Sequence, residues 1–108
     1  MSYIYAASKL STARRMLMLP HPHGEADSIS HAFHEISLGL KDIDRSALDD
    51  SAQGWAATLD ELMNTDGLSD PGRVGLWAVK AETLDVGQLL DLATAVDELQ
   101  HWFSTRSE

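Results

Sequence analysis

Asp85-Val86-Gly87-Gln88-Leu89-Leu90-Asp91-Leu92-Ala93-Thr94-Ala95-Val96-Asp97-Glu98-Leu99-Gln100-His101-Trp102-Phe103 is the stretch that decides the fold. Its apolar residues recur at three- and four-residue steps, the period of an α-helix and not of a strand. Leu89, Ala93, Val96, Leu99 and Phe103 share one face. Asp85 followed three residues later by Gln88 is an N-terminal capping pattern, so a helix over 86–103 is expected. Ser104 to Glu108 reads as a polar tail.

The same period runs outward through the rest of the chain. A first helix is expected over 3–19, with Tyr3, Ala6, Leu10, Ala13 and Leu17 on one stripe. Pro20 and Pro22 end it, because proline pushes the preceding residue out of the helical region. A second is expected over 25–40, where Ile29, Phe33, Ile36 and Leu40 fall within about 60° of one another at the α-helical turn per residue. A third is expected over 46–64, opened by Ser46 with Asp49 three residues on and packed through Leu48, Ala52, Trp55, Leu59 and Leu62. A fourth, shorter helix is expected over 71–82. Asp70 and Pro71 have the form of an N-cap and a first helical residue, and Val74, Trp77, Ala78 and Ala81 face inward. No segment alternates with period two, and the dipeptide Asp66-Gly67 is flanked by helical rather than strand patterns. Short connections favour antiparallel neighbours. The expected architecture is all-α, a compact antiparallel bundle of four to five helices in a single domain spanning 1–108.

Composition narrows the function classes. The chain has 108 residues, of which 44% are hydrophobic and 23% charged, the balance of a folded globular domain. It contains no cysteine, which removes disulfides, thiolate catalysis and cysteine-ligated metals. No apolar run approaches the roughly 20 residues of a membrane span, and the first residues lack the charged and apolar regions of a secretory signal. A cytoplasmic protein is the expectation.

The net charge is −9, and it is unevenly placed. Residues 1–24 hold Lys9, Arg14 and Arg15 and no acid, whereas residues 25–108 hold all seventeen acids against five basic residues. Such a surface repels phosphates, so direct nucleic-acid binding is disfavoured except through the basic first helix. Basic protein partners suit it.

Four of the five histidines lie at His21, His23, His31 and His34, followed by Glu35. His-x-x-His on successive helical turns can present two ligands to one metal. His31, His34 and Glu35 with His23 from the loop therefore form the candidate site for a divalent ion such as zinc. The spacing matches neither His-Glu-x-x-His nor its inverse. Asp27, His31 and Glu35 also have the four-residue spacing of a solvated, charge-paired helix face. Calcium loops fail: with Gly67 at the sixth position the twelfth residue is Arg73, and with Gly54 there the loop falls inside the third helix. Gly72-Arg73-Val74-Gly75 lacks the basic surroundings of a phosphate clamp. No nucleophile elbow is present, and adjacent carboxylates such as Asp97-Glu98 diverge by about 100° on a helix.

The aromatic and methionine residues off the buried stripes point elsewhere. Trp102 is expected at the rim of the last helix, and Tyr5 and Met16 off the stripe of the first, beside Arg14 and Arg15. Trp, Tyr, Met and Arg are enriched at interfaces. The reading that results is a small acidic, non-enzymatic protein-interaction or regulatory module, acting on an unidentified protein partner or as a homodimer. No cofactor is implied. The alternatives are a metal- or pH-responsive protein or small metal-dependent hydrolase using the 21–35 segment, and last a nucleic-acid binder.

Overall fold

The structure is a computed structural model that describes residues 3–18, 21, 24–73 and 75–106. Its elements are α1 (Ile4–Met18), α2 (Glu25–Leu40), a 3-10 turn (Arg45–Ala47), α3 (Asp50–Met63), α4 (Leu76–Thr83) and α5 (Val86–Thr105). No strand occurs among the described residues. The all-α bundle expected from the apolar period is what the chain forms.

α1 lies between α2 and α5, α3 packs on α5, and α4 packs on α2. Tyr3 meets Trp102 and Phe103 at one end of the α1–α5 pair, while Arg14 meets Asp97 further along, so these helices run antiparallel. α2 comes close to α1 because small residues face each other. A Cβ at Gly39 would stand 3.0 Å from Lys9 Cβ and 3.5 Å from the Ala6 carbonyl oxygen. One cluster of buried side chains joins all five helices, with Leu10, Phe33, Ile36, Leu59, Leu92, Val96, Leu99 and Phe103 essentially sealed from solvent. Burying side chains of this size contributes about 1.5–3 kcal/mol each before the entropy of ordering the chain is counted.

Helix boundaries follow the caps, and the starts of α3 and α4 differ most from the sequence expectation. α3 does not start at Ser46. Asp44 caps the 3-10 turn by accepting from the Ser46 amide and hydroxyl, and Asp49 then starts α3 by accepting from the Ala52 amide at 2.9 Å. α4 begins at Leu76, not at Pro71. Arg73 has φ 54° and Gly75 φ 100°, left-handed conformations that no continuous helix passes through. The Asp70 carboxylate reaches forward to the Gly75 amide at 2.7 Å, so it braces a loop instead of opening a helix. Val74, expected to face inward, lies outside the described residues. The capping box on α5 forms as read: Asp85 accepts from the Gln88 amide at 2.8 Å, and Gln88 Oε1 accepts from the Asp85 amide at 2.9 Å. The helix continues through Ser104 and Thr105.

The buried face of α5 is rotated from the expected stripe. Leu92, Ala95, Val96, Leu99, Trp102 and Phe103 are buried, Leu89 is half-buried, and Ala93 is exposed. α5 is apolar on more than one side, and packing against both α1 and α3 selects the side that enters the core. Trp102, expected at the rim, is accordingly a core residue at 8% exposure. Its ring contacts Tyr3 and Phe103, and its indole N–H donates to Asp49 Oδ2 at 2.9 Å.

Candidate interaction surface

Turning Leu92 and Trp102 inward turns other apolar residues of α5 outward. Val86 and Leu90 are 73% and 64% exposed. Together with Ala93 and Asp97 they fall within about 60° of one another around the helix, so they form a single outward stripe. Beside this stripe a groove of about 340 Å³ runs between α1 and α5. Arg14, Leu17 and Met18 form its α1 wall, and Ala93, Thr94, Asp97 and Glu98 its α5 wall. Met18 is 67% exposed. Leu17 and Ala93 continue into a smaller cavity of about 80 Å³, closed by His21, Glu25, Ile29, Leu89 and Leu92. Met18 and Ala93 thus share the groove, and Leu90 and Val86 extend the α5 stripe beyond it toward the start of the helix.

The electrostatics of this side are mostly acidic. Arg14 Nε donates to Asp97 Oδ1 at 2.6 Å across the groove, which neutralises the one cation in the wall. Glu25 and Glu98 make no ion pair among the described residues. Arg15 is exposed one turn before Met18 and is likewise without an ion pair among them. Lys9 is held by Glu35 of α2, so two of the three cations of α1 are spent within the fold.

Other surface grooves of similar size exist. One of about 340 Å³ lies at Leu76 and Trp77, but Leu76 is only 41% exposed and Trp77 is half-buried against Phe33 and His34. At the start of α1, Ile4 and Tyr5 are 61% and 57% exposed, with Lys9 Nζ 5.6 Å from the Tyr5 ring centre. Met16 is half-buried and packs on the core. Of the sequence-expected interaction residues, Arg14 therefore lines the groove, Arg15 adjoins it, Tyr5 is exposed elsewhere on α1, and Trp102 is inside. Met18, Val86 and Leu90 were not singled out by the sequence. The signal available for the α5 residues is the spread of apolar side chains at 89, 90, 92 and 93, which is wider than the one face that packs inward.

The described residues of the histidine segment meet different partners. His31 Nδ1 sits 3.5 Å from Asp27 Oδ2 in an exposed four-residue pair. His34 turns toward Trp77, with ring centres 6.4 Å apart. Glu35 points to α1, its buried Oε2 atom 3.3 Å from Lys9 Nζ. Among the described residues no three His, Asp or Glu side chains come together where one metal ion could be held. His23 lies outside the described residues. His21 Nδ1 is a buried atom in the wall of the small cavity, without a hydrogen-bond partner among the described residues.

Two carboxylates have shifted acidities, and both are structural. Asp49 is held below its ordinary value of 3.8, chiefly by the Ala52 amide, then by the Trp102 indole and the Arg106 charge. Asp44 is lowered by the Ser46 hydroxyl and amide. Arg106 also lies over the Trp102 ring at 4.1 Å, completing a clasp between the start of α3 and the end of α5. Neither group lies at the groove. Among the described residues no helix is long and apolar enough to cross a membrane. Comparison with protein-family models, curated proteins and solved structures found no match to this chain.

Proposed function

We propose that this chain is a non-enzymatic protein-interaction module, and that its partner docks along the groove between α1 and α5. The observation that carries this reading is the exposure of Met18, Val86 and Leu90, at 67%, 73% and 64%: Met18 lines the groove, and Leu90 and Val86 continue the α5 face onward from its Ala93. Contiguous exposed apolar side chains on a small domain mark interaction sites. Covering these three would return roughly 3–6 kcal/mol before the costs of association, enough for the apolar centre of a modest interface. A regulatory or scaffolding role in the cytoplasm fits a cysteine-free acidic domain of this kind. The net charge of −9 favours a different partner over a second copy, because two such surfaces repel. Direct nucleic-acid binding gains little support, since Lys9 and Arg14 are engaged by Glu35 and Asp97.

The test places a photo-crosslinking residue at position 90 and, separately, at the exposed Ala57 of α3 in cells. A discrete protein adduct from position 90, absent from position 57 and reproduced with the purified partner, is the expected result. Equal adducts from both positions, or none from position 90, would overturn the proposal.

A further inference from the structure

Resting on that reading, we infer that the occupant of the α1–α5 groove is a basic amphipathic helix of a partner protein. Its apolar face would lie on Met18, Leu90 and Val86, and its Lys or Arg residues against Glu25 and Glu98. Length comes first. The outward stripe from Val86 to Asp97 extends about 17 Å at the α-helical rise, which matches about three turns of a docked helix. A helix in an apolar groove presents anchors at three- and four-residue steps, the spacing that Val86, Leu90 and Ala93 themselves offer. Charge comes second. The walls of the groove and its adjoining cavity carry Glu25, Asp97 and Glu98 against Arg14 alone, and Arg14 is already engaged by Asp97. Two carboxylates therefore remain for an incoming cation, on opposite sides of the apolar strip. Arg15 is the nearby positive group that such a helix would have to avoid, and it stands on the α1 flank outside the groove lining. A second copy would bring one acidic face against another and add to the repulsion between two chains of charge −9. Complementary charge would speed encounter and make binding sensitive to salt.

The experiment titrates the isotope-labelled full chain with three synthetic helical peptides of about 14 residues. One has leucines at helical spacing with lysines elsewhere, one has glutamates in place of the lysines, and one has the lysine composition with the leucines scrambled. The lysine peptide is expected to move the amide signals of Met18, Leu90, Ala93 and Asp97 selectively. Val86→Ser with Leu90→Ser should weaken it about tenfold, and Glu25→Gln with Glu98→Gln should flatten its salt dependence. All four positions leave the core untouched, and unchanged signals elsewhere verify the fold. If the glutamate peptide binds the same signals as well as the lysine peptide, the basic class is refuted while the docking face stands. If the lysine and scrambled peptides bind alike, with shifts spread over Asp50, Asp60 and Glu61, the groove itself is refuted, and with it the function proposed above. A concentration-dependent dimer abolished by Leu90→Ser would also overturn the inference, in favour of a second copy.

Discussion

Leu92 and Leu90 are two residues apart on α5, yet Leu92 is 1% exposed and Leu90 is 64% exposed. Replacing each in turn by alanine removes the same atoms and changes helix propensity equally, by a few tenths of a kcal/mol in alanine's favour. Only the surroundings differ. Truncating a sealed leucine loses its transfer energy and leaves a cavity, about 3 kcal/mol in total. At Leu90 roughly a third of that transfer energy is at stake, about 0.7 kcal/mol, less the propensity gain, so the expected loss is under about 0.5 kcal/mol. A domain of this length shifts its midpoint by about 4 °C per kcal/mol, so Leu92→Ala should melt about 12 °C lower and Leu90→Ala within about 2 °C of the parent. Urea unfolding followed by circular dichroism gives the same comparison without heat, with equal m-values expected for both variants. Equal losses, or a larger loss at Leu90, would show that the rotation of α5 is wrong. The exposed stripe would then disappear along with its proposed role.

Three further outcomes follow from the packing and the caps. Gly54→Ala should stabilise α3 by about 1 kcal/mol, since nothing among the described residues lies within 4 Å of the new Cβ, whereas Gly39→Ala should lose that gain or more because its Cβ would stand 3.0 Å from Lys9 Cβ; chemical denaturation of both variants checks the contrast. Asp49 is more acidic folded than unfolded, so its contribution to stability is complete above the unfolded value near 3.8 and is lost as pH falls through the lower folded value. Asp49→Asn keeps one acceptor oxygen for two donors, so it should be less stable than the parent near neutral pH, but it has no carboxylate to protonate, and acid titrations of its stability should decline less steeply below pH 3.8. Zinc titration by calorimetry should give the same isotherm for the parent and for His34→Ala, because His34 faces Trp77 and not His31 or Glu35; a stoichiometric site lost in the variant would restore the metal reading.

The period of apolar residues was sufficient for the helical class and for α2, whose bounds coincide with the expected 25–40. The capping pair Asp85 and Gln88 was legible because both of its hydrogen bonds are local in sequence. Asp70-Pro71 had the same kind of local signal but yielded to the left-handed backbone at Arg73 and Gly75, which turns the chain before α4 begins. The face of α5 could not be read from α5 alone. Leucine, alanine or valine occupies positions 89, 90, 92, 93, 95 and 96, so several rotations bury a similar amount, and contacts with α1 and α3 choose among them. Trp102 and Ala93 were misplaced for this one reason, and Val86 and Leu90 were passed over. Asp49 had two roles for the same long-range cause: its cap on Ala52 is local, but its bond to the Trp102 indole spans 53 residues.

Met18 and Met63 offer a direct readout of the docking face, since Met18 is 67% exposed beside the groove and Met63 is half-buried at the far end of α3. With methyl-labelled methionine, the full chain is observed by NMR in buffer and after addition of concentrated cell extract. A partner seated between α1 and α5 should broaden the Met18 methyl signal and leave Met63 sharp, and Leu90→Asp should restore Met18. Broadening of both signals alike, or a sharp Met18 throughout, would contradict the assignment of this face to a partner.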